Sequence, residues 1–88
     1  MNYEVKFYKD ALKSIRKLDP LTRNRILDHI NILSENPRNP ELDIKTMQGF
    51  ENKFRLRVGS YRVVFSVFKD QLIIVIIRVG SRGDVYKS

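Results

Sequence analysis

The chain has 88 residues, no cysteine and a single histidine, which excludes a disulfide framework, a thiol nucleophile and a cysteine-based zinc site. Its formal net charge is +7. Residues 52–88 carry 8 basic and 2 acidic side chains, whereas residues 1–51 carry 9 and 8. This asymmetry is typical of a protein with a polyanionic partner (nucleic acid, an acidic protein segment or an anionic membrane surface), but it also fits a basic surface that only maintains solubility.

The length predicts one domain over residues 1–88, with a single core of two packed layers. The N-terminal stretch alternates charged and apolar residues, so it is not a signal peptide. The longest apolar run, Leu72–Ile77, is too short to cross a bilayer. We therefore expect a soluble protein of the cytoplasm with no membrane partner.

The first predicted elements are a strand and two helices. "YEVKFY" alternates apolar and charged residues, as a half-buried strand does. The stretch "KDALKSIRKLD" predicts a short amphipathic helix, and Asp19-Pro20 predicts the cap and first residue of a second helix that runs to about Glu35. The apolar stripe consists of Leu12, Ile15 and Leu18 in the first helix, and the residues expected to point inward in the second are Leu21, Ile26, Leu27, Ile30 and Leu33.

A loop is predicted from Asn36 to Asn52, and three strands follow it. Their sequences are "KFRLRV", "YRVVFSVF" and "QLIIVIIRV", and the short connections between them predict an antiparallel meander. The last strand is apolar on both faces, so it should lie inside the sheet. The sequence thus predicts an α+β fold: an N-terminal strand, a helical hairpin, and a three- to four-stranded antiparallel meander with the helices on one face of the sheet.

Arginines interrupt the predicted core strands at alternate positions. Because side chains alternate across a strand, Arg55 and Arg57 should share the face opposite to the core. Arg62 in the next strand lies beside one of them if the register permits. Such a cluster suits phosphate oxygens, because the planar guanidinium fork binds them in pairs. The alternative is a solvated face whose arginines pair with Glu51, Asp70 or Asp84.

Other catalytic chemistries have little support in this sequence. His29, the single histidine, lies in the middle of a predicted helix and outside the basic half, so neither histidine catalysis nor a metal site is expected. The stretch "RVGSRGD" lacks the lysine and the strand–loop–helix context of a phosphate-binding loop. Any enzyme of this sequence would have to work with Arg, Lys and Tyr, without a metal or another cofactor.

Two stretches resemble a known family. "GFENKFRLRVGSYRVVFSV" and "IIRVGSRGDVYK" are similar to the RelE branch of the RelE/ParE toxin superfamily, and the predicted order of elements is similar as well. The resemblance covers essentially the whole chain. It implies a RelE-like fold and the toxin of a type II toxin–antitoxin system. The implied activity is that of a metal-independent, ribosome-dependent mRNA endonuclease, in which the 2′-OH of the RNA attacks the adjacent phosphate.

The resemblance also implies roles for matched positions. Arg55, Arg57 and Arg62 would stabilise charge on the scissile phosphate. Arg82 would stabilise charge on the leaving oxygen or protonate it, and Tyr86 would act as a general base or stack on a base. The best-studied branch of the family has lysines where this chain has Arg55 and Arg57, so charge stabilisation is retained and a proton role of lysine is lost. Further RNA contacts are expected at Lys45, Lys53, Arg78 and Lys87.

The implied partners are a cognate antitoxin, the ribosome and mRNA. We expect a partly acidic, helical antitoxin segment that covers the basic face or displaces the tail, in a complex that can be hetero-oligomeric. Two alternatives stay open at this point. One is a ParE-like, non-enzymatic poison of DNA gyrase, and the other is an inactive toxin that is retained for antitoxin binding.

Overall fold

The computed structural model describes residues 2–49 and 51–81, which form a helical hairpin on a five-stranded sheet. The strands are β1 (Glu4–Phe7), β2 (Asp43–Thr46), β3 (Lys53–Val58), β4 (Tyr61–Phe68) and β5 (Ile73–Ser81), and the helices are α1 (Lys9–Arg16) and α2 (Pro20–Glu35). In the described part of the chain, neither helix combines the length and the apolar character that a membrane span requires. The predicted α+β class is confirmed.

The sheet has the order β1-β5-β4-β3-β2, and its strands β2 to β5 form the predicted antiparallel meander. The meander has four strands. β1 adds a parallel pair at the side of β5, so β5 is an internal strand, as its apolar sequence predicts. A register shift between Val64 and Phe65 interrupts the β4–β5 pairing. Such a bulge leaves one residue unpaired and increases the local twist.

Both helices pack on one face of the sheet. The core contains Ala11 and Ile15 from α1, and the face of α2 that joins it follows the i, i+4, i+7 spacing of Ile26, Ile30 and Leu33. The core residues of the sheet are Leu56, Val58, Val63, Phe65, Val67, Ile74, Ile76 and Val79. These strand residues alternate with the arginines, so the opposite face of the sheet is the one that carries the basic side chains.

The prediction that Leu21 and Leu27 of α2 point into the core is wrong. Leu21 is 81% exposed and Leu27 is 38% exposed. The buried face of α2 is narrower than its apolar stripe, because helical spacing identifies which residues share a face but not how wide a face the sheet covers. In α1, similarly, Leu12 is 36% exposed whereas Ala11 is fully buried.

The predicted Asn36–Asn52 loop is also partly wrong, because it contains β2 at Asp43–Thr46. β2 lies at the edge of the sheet and pairs only with β3. Its single apolar residue, Ile44, is half-buried, so its sequence lacks the apolar alternation that marks a longer strand.

Local sequence fixes the start of α2 and the β3–β4 turn. The carboxylate of Asp19 accepts a hydrogen bond from the backbone N–H of Thr22 at 3.1 Å, which confirms the predicted cap, and Pro20 is the first residue of the helix. Hydrogen bonds from the Thr22 hydroxyl and backbone N–H hold the pKa of Asp19 below its ordinary value. In the two-residue turn Gly59-Ser60, Gly59 has φ +60°, a conformation that glycine adopts at no steric cost.

Candidate phosphate-binding site on the open face of the sheet

The open face is the side of the sheet opposite to the helices, and its side chains stand in cross-strand rows. In the first row, Arg57 pairs directly with Arg62 on β4 and with Asp43 on β2, and Arg62 pairs with Gly80 on β5. Adjacent strands lie roughly 4.8 Å apart, so the two arginine stems begin side by side. The β3–β4 register therefore places Arg62 beside Arg57, which is the condition on which the predicted arginine cluster depended.

The second row lies two residues further along the strands. Arg55 is flanked by Lys45 on β2 and by Val64 on β4, and Val64 pairs with Arg78 on β5. The row thus contains three basic side chains on a single line across the sheet. Lys53, two residues from Arg55 on β3, continues the same face and pairs with Ser66. The two rows together make the open face a surface of clustered positive charge.

Arg62 is the most unusual member of these rows because it is only 8% exposed. An Nη1 hydrogen bond to the carbonyl oxygen of Tyr61 (3.3 Å) holds its guanidinium. Gly80, its neighbour on β5, has no side chain. Arg57 is exposed instead, and its Nε donates to the carbonyl oxygen of Gly59 at 3.5 Å. A buried guanidinium has few alternative positions, so Arg62 is the fixed element of the cluster.

A small pocket of about 50 Å³ lies where the rows meet at the β2 side of the sheet. The residues that line it are Asp43, Lys45, Arg55, Arg57 and Arg62. Four of these five side chains are cationic, and repulsion among them costs stability as long as no anion is bound. Guanidinium and ammonium groups that converge on one small pocket are suited to the oxygens of a phosphate.

The structure brings together most of the predicted site residues. Arg55, Arg57 and Arg62 share the pocket with Lys45, and Lys53 and Arg78 lie on the same face. Arg82, Tyr86 and Lys87 lie outside the described residues, so their predicted roles stay predictions. In residues 2–49 and 51–81, no group of three or more acidic or histidine side chains is arranged to hold a metal ion.

Asp43 is the pocket residue that the sequence did not suggest. It was missed because the segment that contains it was predicted to be a loop, and no face can be assigned to a residue in a loop. The alternation of Asp43, Ile44 and Lys45 was the available signal, since it puts the two charged residues on one face if the segment is a strand.

A larger cavity of about 610 Å³ lies on the helix side, at the end of the sheet where β4 stops. Phe54 and Phe65 line it and stack on one another with ring centroids 5.6 Å apart. Tyr3, Ile44 and Val67 complete its apolar wall, whereas Glu35, Arg38 and Lys69 contribute charges of both signs. This mixed, mostly apolar cleft lacks the convergent cations of the open face, so the smaller pocket is the better phosphate site.

The architecture and the basic face identify a class of protein. Residues 5–86 match the ParE toxin family of type II toxin–antitoxin systems (parDE), and the chain belongs to this family. An Escherichia coli protein inferred to be a RelE-like toxin is 35% identical over 88 residues, which cover 98% of this chain and 92% of that protein. The chain is thus a RelE-like toxin of a type II toxin–antitoxin system.

Two further relatives are similar over nearly the whole chain. The mRNA interferase toxin RelE of Escherichia coli strain K12 is 30% identical over 90 residues, covering 98% of this chain and 92% of that protein. The archaeal RelE–RelB complex from Pyrococcus horikoshii OT3 contains a chain that superimposes with a TM-score of 0.82 at 30% identity. That superposition covers 94% of this chain and 98% of the other.

Proposed function

We propose that this protein is an mRNA endonuclease that acts on the ribosome in the cytoplasm and so inhibits translation. The observation that carries the proposal is the direct cross-strand pair of Arg57 and Arg62 at a pocket with two more cations, Lys45 and Arg55. A similar protein that covers almost the full chain is named an mRNA interferase, which supports the same activity here.

The proposed reaction is a transesterification within the RNA. The 2′-oxygen attacks the adjacent phosphorus, the bond from phosphorus to the 5′-oxygen breaks, and the products are a 2′,3′-cyclic phosphate and a 5′-OH. Negative charge accumulates on the phosphoryl oxygens during the attack. Fixed guanidinium groups stabilise that charge without reorganising, and the burial of Arg62 keeps its guanidinium in place. The reaction needs no metal ion.

The proposed dependence on the ribosome follows from what the site supplies. Arg57 and Arg62 stabilise charge, but arginine is not deprotonated in proteins and is therefore a poor proton acceptor. Alignment of the 2′-OH with the leaving oxygen must then come largely from how the mRNA is held, and positioning of this kind contributes much to catalysis. We propose that the ribosome holds the mRNA and that Lys53, Arg78 and Lys87 contact its backbone.

We propose further that a cognate antitoxin binds this toxin. The similar chain from Pyrococcus horikoshii is part of a RelE–RelB complex, which supports a protein partner of the same kind. A partly acidic helical segment would neutralise the open face or displace the C-terminal tail, and the complex can be hetero-oligomeric. A co-crystal structure in which the antitoxin touches neither region would contradict this part of the proposal.

The cleavage proposal is tested by inducing the toxin and mapping mRNA 5′ ends by sequencing. We expect cuts within translated codons, and we expect them to disappear in Arg62→Ala and Tyr86→Ala. Arg38→Ala is the matched control, because Arg38 is an exposed arginine that lines the helix-side cavity and lies away from the basic pocket. If Arg62→Ala and Tyr86→Ala still cleave like the control, the site is misassigned.

A second candidate function is a ParE-like, non-enzymatic poison of DNA gyrase, which the name of the matching family favours. Gyrase supercoiling in the presence of purified toxin separates the two functions. Inhibition of supercoiling that persists in Arg62→Ala would favour the gyrase poison. Unchanged supercoiling together with mRNA cleavage would favour the endonuclease.

A further inference from the structure

The proposed reaction requires a group that takes the proton from the attacking 2′-OH. The four cations of the basic pocket are unsuited to this, because arginine and lysine carry their protons at neutral pH. Among the pocket-lining residues in the described part of the chain, Asp43 is the only one whose side chain can accept a proton. It is a carboxylate on the edge strand β2, directly opposite Arg57 and in the same row as Arg62.

We propose that Asp43 is the general base of the RNA cleavage, an inference that rests on the proposed function and leaves Tyr86 the other role that the resemblance implies, stacking on a base. The carboxylate of Asp43 takes the proton of the 2′-OH as the bond between the 2′-oxygen and phosphorus forms. The bond from phosphorus to the 5′-oxygen breaks, and that oxygen takes a proton from a water molecule. The protonated Asp43 then returns its proton to solvent, so no oxidant, metal or further reactant is needed.

The geometry of the first row supports Asp43 as the base and Arg57 and Arg62 as the groups that bind the phosphate. Neighbouring strands are roughly 4.8 Å apart, so the backbones of Asp43 and Arg62 are separated by about 10 Å, with Arg57 between them. If the ribose of a phosphate bound by the two arginines lies on the β2 side of the pocket, its 2′-OH is within reach of Asp43. β2 is an edge strand of the described sheet, so within residues 2–49 and 51–81 no further strand blocks the RNA there.

The Asp43 carboxylate is also available to a substrate. Asp43 is exposed, and within residues 2–49 and 51–81 its side chain forms no hydrogen bond or ion pair. The guanidinium of Arg57 donates from Nε to the carbonyl oxygen of Gly59 in the β3–β4 turn. The charged groups that face Asp43 come from three strands: Lys45 on β2, Arg55 and Arg57 on β3, and Arg62 on β4.

If Asp43 had a purely electrostatic role, its removal would have the opposite effect on RNA cleavage from the removal of a general base. A carboxylate that only reduces repulsion among the four cations would compete with the phosphate for them. Its removal would then tighten RNA binding and leave the cleavage rate unchanged or higher. A general base, in contrast, accelerates the chemical step, so its removal slows cleavage even where binding is stronger. The two roles are therefore distinguished by whether removal of the Asp43 carboxylate slows RNA cleavage.

The test uses ribosomes programmed with a short mRNA and an excess of the full-length toxin, so that a single turnover is measured. Asp43→Asn should lower the cleavage rate by about 10²- to 10⁴-fold, the range typical of general base catalysis. Its affinity for the programmed ribosome should stay the same or increase. Asp43→Glu should recover part of the rate.

Asp70→Asn is the matched control, because Asp70 is an exposed aspartate in the β4–β5 turn and does not line the basic pocket. It makes the same change in net charge and should cleave like the wild type. Thermal unfolding of Asp43→Asn verifies that the variant is folded. If Asp43→Glu is folded but no more active than Asp43→Asn, general base catalysis is contradicted.

Other outcomes would overturn the inference in distinguishable ways. If the wild type cleaves and Asp43→Asn cleaves as fast or faster, Asp43 is not the base although the proposed function stands. A rate loss that disappears when the toxin concentration is raised to saturation would make Asp43 a binding residue. If the wild type itself does not cleave on ribosomes, the proposed function fails and the role of Asp43 fails with it.

Discussion

Replacing the buried Arg62 by methionine should stabilise the protein and abolish its activity. Methionine keeps an unbranched apolar stem in the buried position but removes the charge. If the charges of Arg57 and Arg62 are separated by about one strand spacing, roughly 5 Å, their repulsion is about 1 kcal/mol in water and about 3 kcal/mol at an effective dielectric constant of 20. Because Arg57 is exposed and screened, we expect the free energy of unfolding to increase by about 1 kcal/mol.

The change in stability is measured by urea unfolding of Arg62→Met and of the exposed control Arg38→Met, each at low and at high salt. The gain should be larger at low salt, because salt screens the repulsion that the substitution relieves. The control should change the free energy of unfolding by less than about 0.5 kcal/mol. A loss of more than about 1 kcal/mol in Arg62→Met would refute the reasoning and would make Arg62 a structural residue.

Three further predictions concern the fold. Leu33→Ala should lower the free energy of unfolding by about 2–5 kcal/mol in a urea titration, whereas Leu21→Ala should change it by less than about 0.5 kcal/mol, because Leu33 is fully buried and Leu21 is 81% exposed. Gly59→Ala should cost about 1 kcal/mol in the same assay, since φ +60° disfavours a residue with a Cβ. The Thr22 hydrogen bonds lower the pKa of Asp19. The stability that the ionised Asp19 cap contributes to the protein is therefore present above about pH 4 and is lost as the pH falls through the folded-state pKa. The melting temperatures of Asp19→Ala and the wild type should therefore converge in acid, and a constant difference down to pH 2 would contradict this.

The sequence predicted the arginine cluster because two local rules were sufficient. Alternation put Arg55 and Arg57 on the face opposite to Leu56, and the short Gly59-Ser60 turn allowed only a few registers for the next strand. The register that occurs makes Arg57 the direct neighbour of Arg62. The sequence did not predict that Arg62 is buried, because that depends on which side chains stand on the strands beside it.

Features that depend on tertiary contacts were harder to predict. β2 has one apolar residue and is held by its pairing with β3, so its sequence gives a weak strand signal and Asp43 could not be assigned to a face. Helical spacing grouped Leu21 with the buried Ile26, because periodicity contains no information on where the sheet lies relative to a helix. The roles of the predicted site residues are unaffected by these errors.

The pairing of β1 with β5 has a consequence for how this protein folds during its synthesis. Among the described strands, β1 is synthesised first and β5 last, and β1 pairs with β5. A nascent chain that lacks β5 therefore has no partner for β1 and has no Gly80 beside Arg62. The order of translation thus delays completion of the basic face until β5 has been synthesised.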